Sequence, residues 1–178
     1  MTSGYQVVLD ACVLVNAALR DTLLRIAEPP RLYLPRWSED IMEETTRALE
    51  NKLGQSQTQT SHLLEQLKIH FPDCWVEGYK QLIPAMNNHP KDRHVLAAAV
   101  RTGAQTIVTF NTKDFPAEAL SPWNIEVQTP DEFLVHQYHL DETTVLAKLE
   151  EQSARRGGMK RLLEIHQKTM PKFVALIR

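Results

Sequence analysis

Short β-branched or apolar segments alternate with longer helical patterns along this chain. Val7-Val8-Leu9 is wholly apolar, and residues 106–109 are all β-branched. A strand of this kind suits burial on both faces, which occurs in parallel sheets that carry helices on both sides. The sequence therefore predicts an α/β fold with three layers around a central, mainly parallel sheet.

The same periodicity predicts the remaining elements. Further short strands are expected at 32–34, at 125–127 and, weakly, within 74–79. Helices are expected at 12–28, 39–53, 62–70, 91–102 and 130–139, with a short helix ending near 86. Residues 55–61, QSQTQTS, are expected to form a polar linker. Two or three more helices should fill 141–178, broken at Gly157-Gly158 and at Pro171.

We expect a main domain over residues 1–140 and a helical C-terminal extension over 141–178. The net charge of −2 is unevenly distributed, because residues 148–178 carry eight Lys or Arg against three acidic residues. This basic segment is either a solvated helical face or a surface that attracts phosphates. No apolar run approaches the length of a membrane span, and the segment MTSGYQVVLD lacks a leader pattern, so we expect a cytoplasmic protein. Cys12 and Cys74 indicate neither a disulfide framework nor a zinc site.

Acidic and amide side chains follow two of the predicted strands. Asp10 comes directly after the first strand, and Asn111 and Asp114 follow the strand at 106–109. The carboxyl ends of parallel strands meet at one edge of a sheet, where binding sites of α/β folds form. Asp10 could serve there as a metal ligand or as the N-cap of the helix that follows it.

Two further acids lie in predicted helices. Glu44 is three residues after Ile41 and four before Ala48, so it lies on or near the apolar face of helix 39–53. Glu43 lies between Asp40 and Arg47 on the solvated side, and it is the alternative if the helix phase is misjudged. Asp92 falls in the first turn of helix 91–102, where the helix dipole alone would favour a carboxylate.

These acids come from four segments that such a fold can bring to one crevice. Clustered carboxylate oxygens are ligands for hard cations such as Mg²⁺ or Mn²⁺, which support phosphodiester hydrolysis. The sequence contains no G-x-x-x-x-G-K-[ST], G-x-G-x-x-G, G-x-S-x-G or H-E-x-x-H motif. A phosphatase or receiver domain based on Asp10 is a weaker alternative, because the position two residues later is Cys12 and adjacent acids are missing.

Four motifs resemble those of PIN domains. VVLDACVLVNA resembles their first strand and helix, and WSEDIMEETTRAL resembles the second motif, with Ser38 followed six residues later by Glu44. HPKDRHVLAAAVRTGAQTIVTFNTKDFP resembles the third and fourth motifs, with Asp92 and Asp114 at the acidic positions. PDEFL and the helical tail are similar to a subgroup found among bacterial VapC-type toxins. Asn111 is neutral, so Asp114 must supply any fourth carboxylate.

The resemblance implies a PIN-like fold and a metal-dependent endoribonuclease, the toxin of a type II toxin–antitoxin pair. Asp10, Glu44, Asp92 and Asp114 would hold Mg²⁺ or Mn²⁺ and carry catalysis. The implied partners are an RNA substrate (tRNA, rRNA or mRNA), a cognate antitoxin and a second copy in a homodimer. Asn111, Arg93 and Lys113 lie beside proposed ligands and are candidates for substrate contacts. The alternative is a catalytically inactive PIN-like module that binds RNA or protein.

Overall fold

A five-stranded parallel sheet forms the centre of the computed structural model, which describes residues 4–178. The first three residues of the segment that lacks a leader pattern lie outside this range. The strands are β1 (Gln6–Leu9), β2 (Leu34–Ser38), β3 (Trp75–Val76), β4 (Thr106–Val108) and β5 (Glu126–Gln128). Their order across the sheet is β3-β2-β1-β4-β5, and every neighbouring pair is parallel. The predicted α/β fold class is confirmed.

β1 lies at the middle of the sheet and is covered on both faces. Successive side chains of a strand point to opposite faces, and Val7, Val8 and Leu9 are all fully buried. β1 pairs with β2 on one side and β4 on the other, so the direction in which the chain crosses the sheet reverses there. A crevice is expected at the carboxyl ends of the strands on either side of such a reversal.

The helices that surround the sheet are α1 (Ala11–Leu14), α2 (Ala17–Ala27), α3 (Glu39–Leu53), α4 (Gln57–His70), α5 (Arg93–Thr102), α6 (Ala117–Leu120), α7 (Pro130–Leu140), α8 (Glu142–Ser153), α9 (Met159–His166) and α10 (Pro171–Ile177). Short 3-10 turns connect several of them. α5 contacts β1 to β4, α2 contacts β2 and α7 contacts β5. Within residues 4–178, no helix has both the length and the apolar character needed to cross a bilayer.

The single helix expected at 12–28 is wrong. The chain forms two helices there, since Asn16 leaves the helical conformation and its side chain accepts the backbone N–H of Leu19 at 3.1 Å. An Asn side chain competes with the backbone for such bonds and favours helix starts. Because of this break, α1 is a separate short helix, and it contacts α3.

The strand expected at 32–34 is displaced, because β2 begins at Leu34 and continues through Pro35. Proline has no N–H to donate and is tolerated where a strand has an unpaired edge. β3 pairs only with Trp37 and Ser38, so it does not reach Pro35. The proline therefore does not end the strand.

The polar linker expected at 55–61 is also wrong. α4 begins at Gln57, where Ser56 and Gln59 form a reciprocal capping box. Two backbone N–H groups are satisfied in this way at the helix start. The polar composition of residues 55–61 did not indicate a helix, although the capping residues were present in the sequence.

The extension, residues 141–178, consists of α8, α9 and α10 and packs against α2 and α7. Val145, Leu149, Leu162 and Phe173 belong to the same apolar core as the sheet. The Thr22 hydroxyl lies 2.7 Å from Gln152 Oε1 and 2.9 Å from His166 Nε2 in the buried contact with α2. The division into a main domain over residues 1–140 and an extension over 141–178 stays a prediction.

Candidate active site

A cleft of about 460 Å³ opens at the carboxyl ends of β1 and β4. All four acids that the sequence singled out line it, although they come from four separate segments. Its lining residues are Asp10, Ala11, Cys12, Val15, Glu44, Arg47, Ala48, Asn51, Lys52, Lys91, Asp92, Asn111 and Asp114.

Asp10 is buried in the lining of the cleft, and its carboxylate accepts three hydrogen bonds, the longest from Cys12 Sγ at 3.6 Å. One carboxylate oxygen accepts the N–H of Ala11 at 2.7 Å, and the other accepts the Thr109 hydroxyl at 2.8 Å. It therefore caps α1 and faces the cleft at the same time, so the two readings of Asp10 are compatible. Burial raises the pKa of Asp10, while these hydrogen bonds oppose that effect.

Glu44 enters the cleft from α3, whereas Glu43 points into solvent. The Glu43 side chain is 62% exposed and pairs with Arg47 at 2.8 Å. Glu44 Oε1 lies 2.8 Å from Nε2 of His94 on α5. Burial alone would lower the pKa of His94, but the hydrogen bond and charge of Glu44 raise it overall. His94 thereby fixes the orientation of the Glu44 carboxylate.

Asp92 occupies the N-cap position of α5, after a 3-10 turn over Pro90–Asp92. Within the described chain its side chain makes no capping hydrogen bond, so the carboxylate is not used to start the helix. Burial, followed by the negative charges of Asp10, Asp114 and Glu44, raises the pKa of Asp92 to about 6. Asp92 thus interacts electrostatically with the other three acids.

Asp114 lies in a 3-10 turn after β4 and comes close to Asp92. Ligand atoms of Asp92, Asp114 and His89 all lie within 4.8 Å of one another. The backbone holds this arrangement, since His89 N–H donates to the Asp114 carbonyl at 3.1 Å and Asp92 N–H donates to the His89 carbonyl at 2.9 Å. Asn111 also lines the cleft, and its N–H donates to the Thr109 hydroxyl at 3.0 Å.

The two cations expected to contact substrate lie elsewhere. Arg93 donates through Nε to the Asn88 carbonyl at 3.1 Å, and Lys113 is exposed. The cleft lining found within residues 4–178 includes neither of them. Their role as phosphate contacts stays a prediction.

The donor set suits a hard divalent cation. Its side-chain donors are mainly carboxylate oxygens, which Mg²⁺ and Mn²⁺ prefer. Burial first and the neighbouring carboxylates second raise the pKa of Asp92, and a bound cation would offset both by favouring the charged carboxylate. The residues therefore fit a metal of this class.

Comparison with known proteins identifies the family. A model of the PIN domain matches residues 6–113, which is more than half of the chain. This chain belongs to the PIN-domain family. The matched segment contains β1, β2, β3 and β4 together with Asp10, Glu44 and Asp92, and it ends one residue before Asp114.

One curated relative of this PIN domain is the Mycobacterium tuberculosis (strain ATCC 25618 / H37Rv) protein named "Putative ribonuclease VapC50". The two are 57% identical over 70 residues. That match covers 39% of this chain and 41% of the relative, so the chain spans less than half of the relative's length. No solved structure matches the chain.

Several residues of this PIN domain's cleft were not anticipated from the sequence. Thr109 ends the segment expected as a strand, so its place beside Asp10 follows from the same rule that located Asn111. His94 lies two residues after Asp92, but its contact with Glu44 depends on how α3 and α5 meet. The cations that line the cleft were also missed: Arg47, Lys52 and Lys91.

Proposed function

We propose that this PIN domain is a metal-dependent endoribonuclease, a hydrolase that uses Mg²⁺ or Mn²⁺. The observation that carries the proposal is the convergence of Asp10, Glu44, Asp92 and Asp114 on one cleft. The ribonuclease name of the M. tuberculosis relative supports RNA as the substrate. These four acids are proposed as both the metal ligands and the catalytic residues, with Asn111 as a substrate contact.

The proposed reaction is in-line attack of water on a phosphodiester, with cleavage of the opposite P–O bond. A bound Mg²⁺ or Mn²⁺ would neutralise charge on the phosphate and make water a better nucleophile near neutral pH. The chain's own residues keep the ligands in place. Thr109 and the Ala11 N–H orient Asp10, and His94 orients Glu44. Preorganised carboxylates of this kind need little rearrangement as the reaction proceeds.

The relative's VapC name supports a biological role for the activity. We propose that the chain is the toxin of a type II toxin–antitoxin pair, acts in the cytoplasm as a homodimer and is inhibited by a cognate antitoxin. Its RNA target is proposed to be a tRNA, rRNA or mRNA. Pull-down of the product of the neighbouring gene with this chain tests the antitoxin, and light scattering tests the dimer.

The decisive experiment measures RNA cleavage by the wild type and by Asp10→Asn with Mn²⁺ or Mg²⁺ present. Loss of one metal ligand should lower the rate at least ~10²-fold, since several kcal/mol of transition-state stabilisation are withdrawn. Asp73→Asn is the matched control, because Asp73 is an exposed acid outside the cleft. Its rate should equal that of the wild type.

Calorimetric titration with Mn²⁺ checks the metal separately from turnover. The wild type should take up the ion and melt at a higher temperature in its presence. RNA binding without cleavage by the wild type under these conditions would favour the inactive binding module instead. An unchanged rate in Asp10→Asn would remove the proposed site.

A further inference from the structure

One face of α3 extends from the acids of the cleft to a row of basic and polar side chains. Glu44, Arg47, Ala48, Asn51 and Lys52 all line the cleft, and their spacing of three or four residues places them on one helix face. At 1.5 Å per residue, Lys52 lies about 12 Å along the helix axis from Glu44. The cleft is therefore acidic at one end of this face and basic at the other.

The cations on this face are available to a ligand. Within residues 4–178, the Lys52 ammonium group is in no ion pair. Arg47 pairs with Glu43 at 2.8 Å, but the two side chains are 60% and 62% exposed. An exposed pair of this type contributes little, so its guanidinium can exchange partners. Ala48 lies between them and adds no bulk.

The four carboxylates repel an RNA strand that reaches them unless its neighbouring phosphates contact cations. We propose that the α3 face formed by Arg47, Ala48, Asn51 and Lys52 binds the backbone phosphates of the RNA strand on one side of the cleavage position. Arg47 and Lys52 contact successive phosphates, and the small Ala48 leaves room for the ribose between them. This inference rests on the proposed function, since it names where that substrate lies.

The extension is the competing surface, because residues 148–178 carry a large excess of basic residues. Of the cleft-lining residues within 4–178, none comes from the extension. Two of its cations also lie in less exposed pairs, since Arg156 lies 3.9 Å from Asp21 and Lys148, whose side chain is 13% exposed, lies 3.6 Å from Glu151. The geometry therefore favours α3 over the extension.

The test measures RNA binding without cleavage, using full-length Asp10→Asn as the background and a fluorescein-labelled single-stranded RNA of mixed sequence in Mg²⁺. Binding is followed by anisotropy across a KCl series. Each phosphate contact to a single strand contributes about 0.7 to the slope of log K against log salt. Arg47→Gln and Lys52→Gln should each reduce the slope by about that amount, and the double variant by about twice as much.

Lys80→Gln is the control, since Lys80 is an exposed cation outside the cleft, and its slope should not change. Melting temperatures equal to that of the background show that every variant is folded. Unchanged slopes in both α3 variants, or a loss produced by Lys160→Gln in the extension in their place, overturns the inference. An absence of RNA binding at low salt also overturns the inference. The proposed function is tested separately, by RNA cleavage with the wild type.

Discussion

Buried polar side chains have different partners in two regions of the molecule, the cleft and the contact between α2 and the extension. In the contact, the Thr22 hydroxyl forms hydrogen bonds with both Gln152, at 2.7 Å, and His166, at 2.9 Å. In the cleft, burial and the charges of three other carboxylates together raise the pKa of Asp92 to about 6. Satisfied polar groups stabilise a fold, whereas clustered like charges oppose it. The contrast separates a region whose polar groups stabilise the fold from one whose charges oppose it, a pattern common at functional sites.

The largest expected effect is on RNA cleavage, and it should differ between the cleft-facing and solvent-facing sides of α3. Glu44→Gln should lower RNA cleavage at least ~10²-fold, because it removes a proposed ligand. Glu43→Gln should stay close to the wild type, since Glu43 is mostly exposed and pairs with Arg47 in solvent. Single-turnover cleavage rates measure both. Equal losses in the two variants would contradict the separation between cleft and solvent faces.

The next effect is on the stability of the extension. Both oxygens of the buried Asp131 carboxylate accept N–H groups at the start of α10, from Lys172 at 3.1 Å and Phe173 at 2.8 Å. Asp131→Ala leaves these donors unsatisfied and should lower the free energy of unfolding by about 2–3 kcal/mol. Urea denaturation measures this loss, and the cleavage rate of the folded variant should not change.

Asp131→Asn is the matched variant, because it keeps one acceptor oxygen and loses only part of this stability. A loss as large as that of Asp131→Ala would show that the negative charge matters more than the hydrogen bonds. A loss of cleavage in the folded Ala variant would break the separation between the two regions.

The third effect concerns acid stability at the extension. Burial, with the charge of Arg156, lowers the pKa of His166 to about 4 from the ordinary 6.5. The unfolded chain therefore takes up a proton at a higher pH than the folded protein does. Stability should fall as pH drops from 6.5 to about 4, by an amount on the order of 1–2 kcal/mol. His166→Gln should flatten this part of the curve.

His62→Gln provides the control, since His62 is exposed on α4. Its melting temperature should follow that of the wild type at every pH. A wild-type curve that stayed level between pH 6.5 and 4 would contradict the buried neutral state of His166.

The smallest effect has the opposite sign and belongs to the cleft. The folded pKa of Asp92, about 6, lies above its ordinary value of 3.8, so stability is fully present below pH 3.8 and is lost as pH rises through 6. Asp92→Asn removes this loss and should melt slightly higher than the wild type at pH 7 without metal. Adding Mn²⁺ should stabilise the wild type more than the variant, as thermal shift measures.

Local signals located most of the fold. Helix 39–53 matches α3, with Ser38 as N-cap and Gly54 in the left-handed conformation at its end. The capping box of Thr129 and Glu132 likewise marks the start of α7. The predicted helix bounds were wrong where a polar residue caps a helix, as Asn16 does, because composition alone does not indicate a cap. Caps are read reliably from a sequence only where the surrounding periodicity already indicates a helix.

Part of the candidate site was also predictable from the sequence, because strand ends determine where some of its residues lie. Asp10, Asn111 and Asp114 follow strands. Because parallel strands end at one edge of the sheet, the sequence predicted that these residues would lie near one another. The hydrogen bond between His94 and Glu44 joins residues 50 positions apart and depends on how α3 lies against α5. The basic face beyond Glu44 was missed because its relation to the cleft depends on the same packing. The inter-helix angle is not encoded in any short motif.

The reversal of strand order at β1 has a consequence for protein synthesis. Asp10 is made early, but its neighbour Thr109 and the acid Asp114 emerge from the ribosome only after β4 has been translated. Any nascent or truncated chain that stops before Asp114 lacks part of the acid set, however well its earlier elements fold. A complete set of the four acids therefore exists only once residue 114 has been translated.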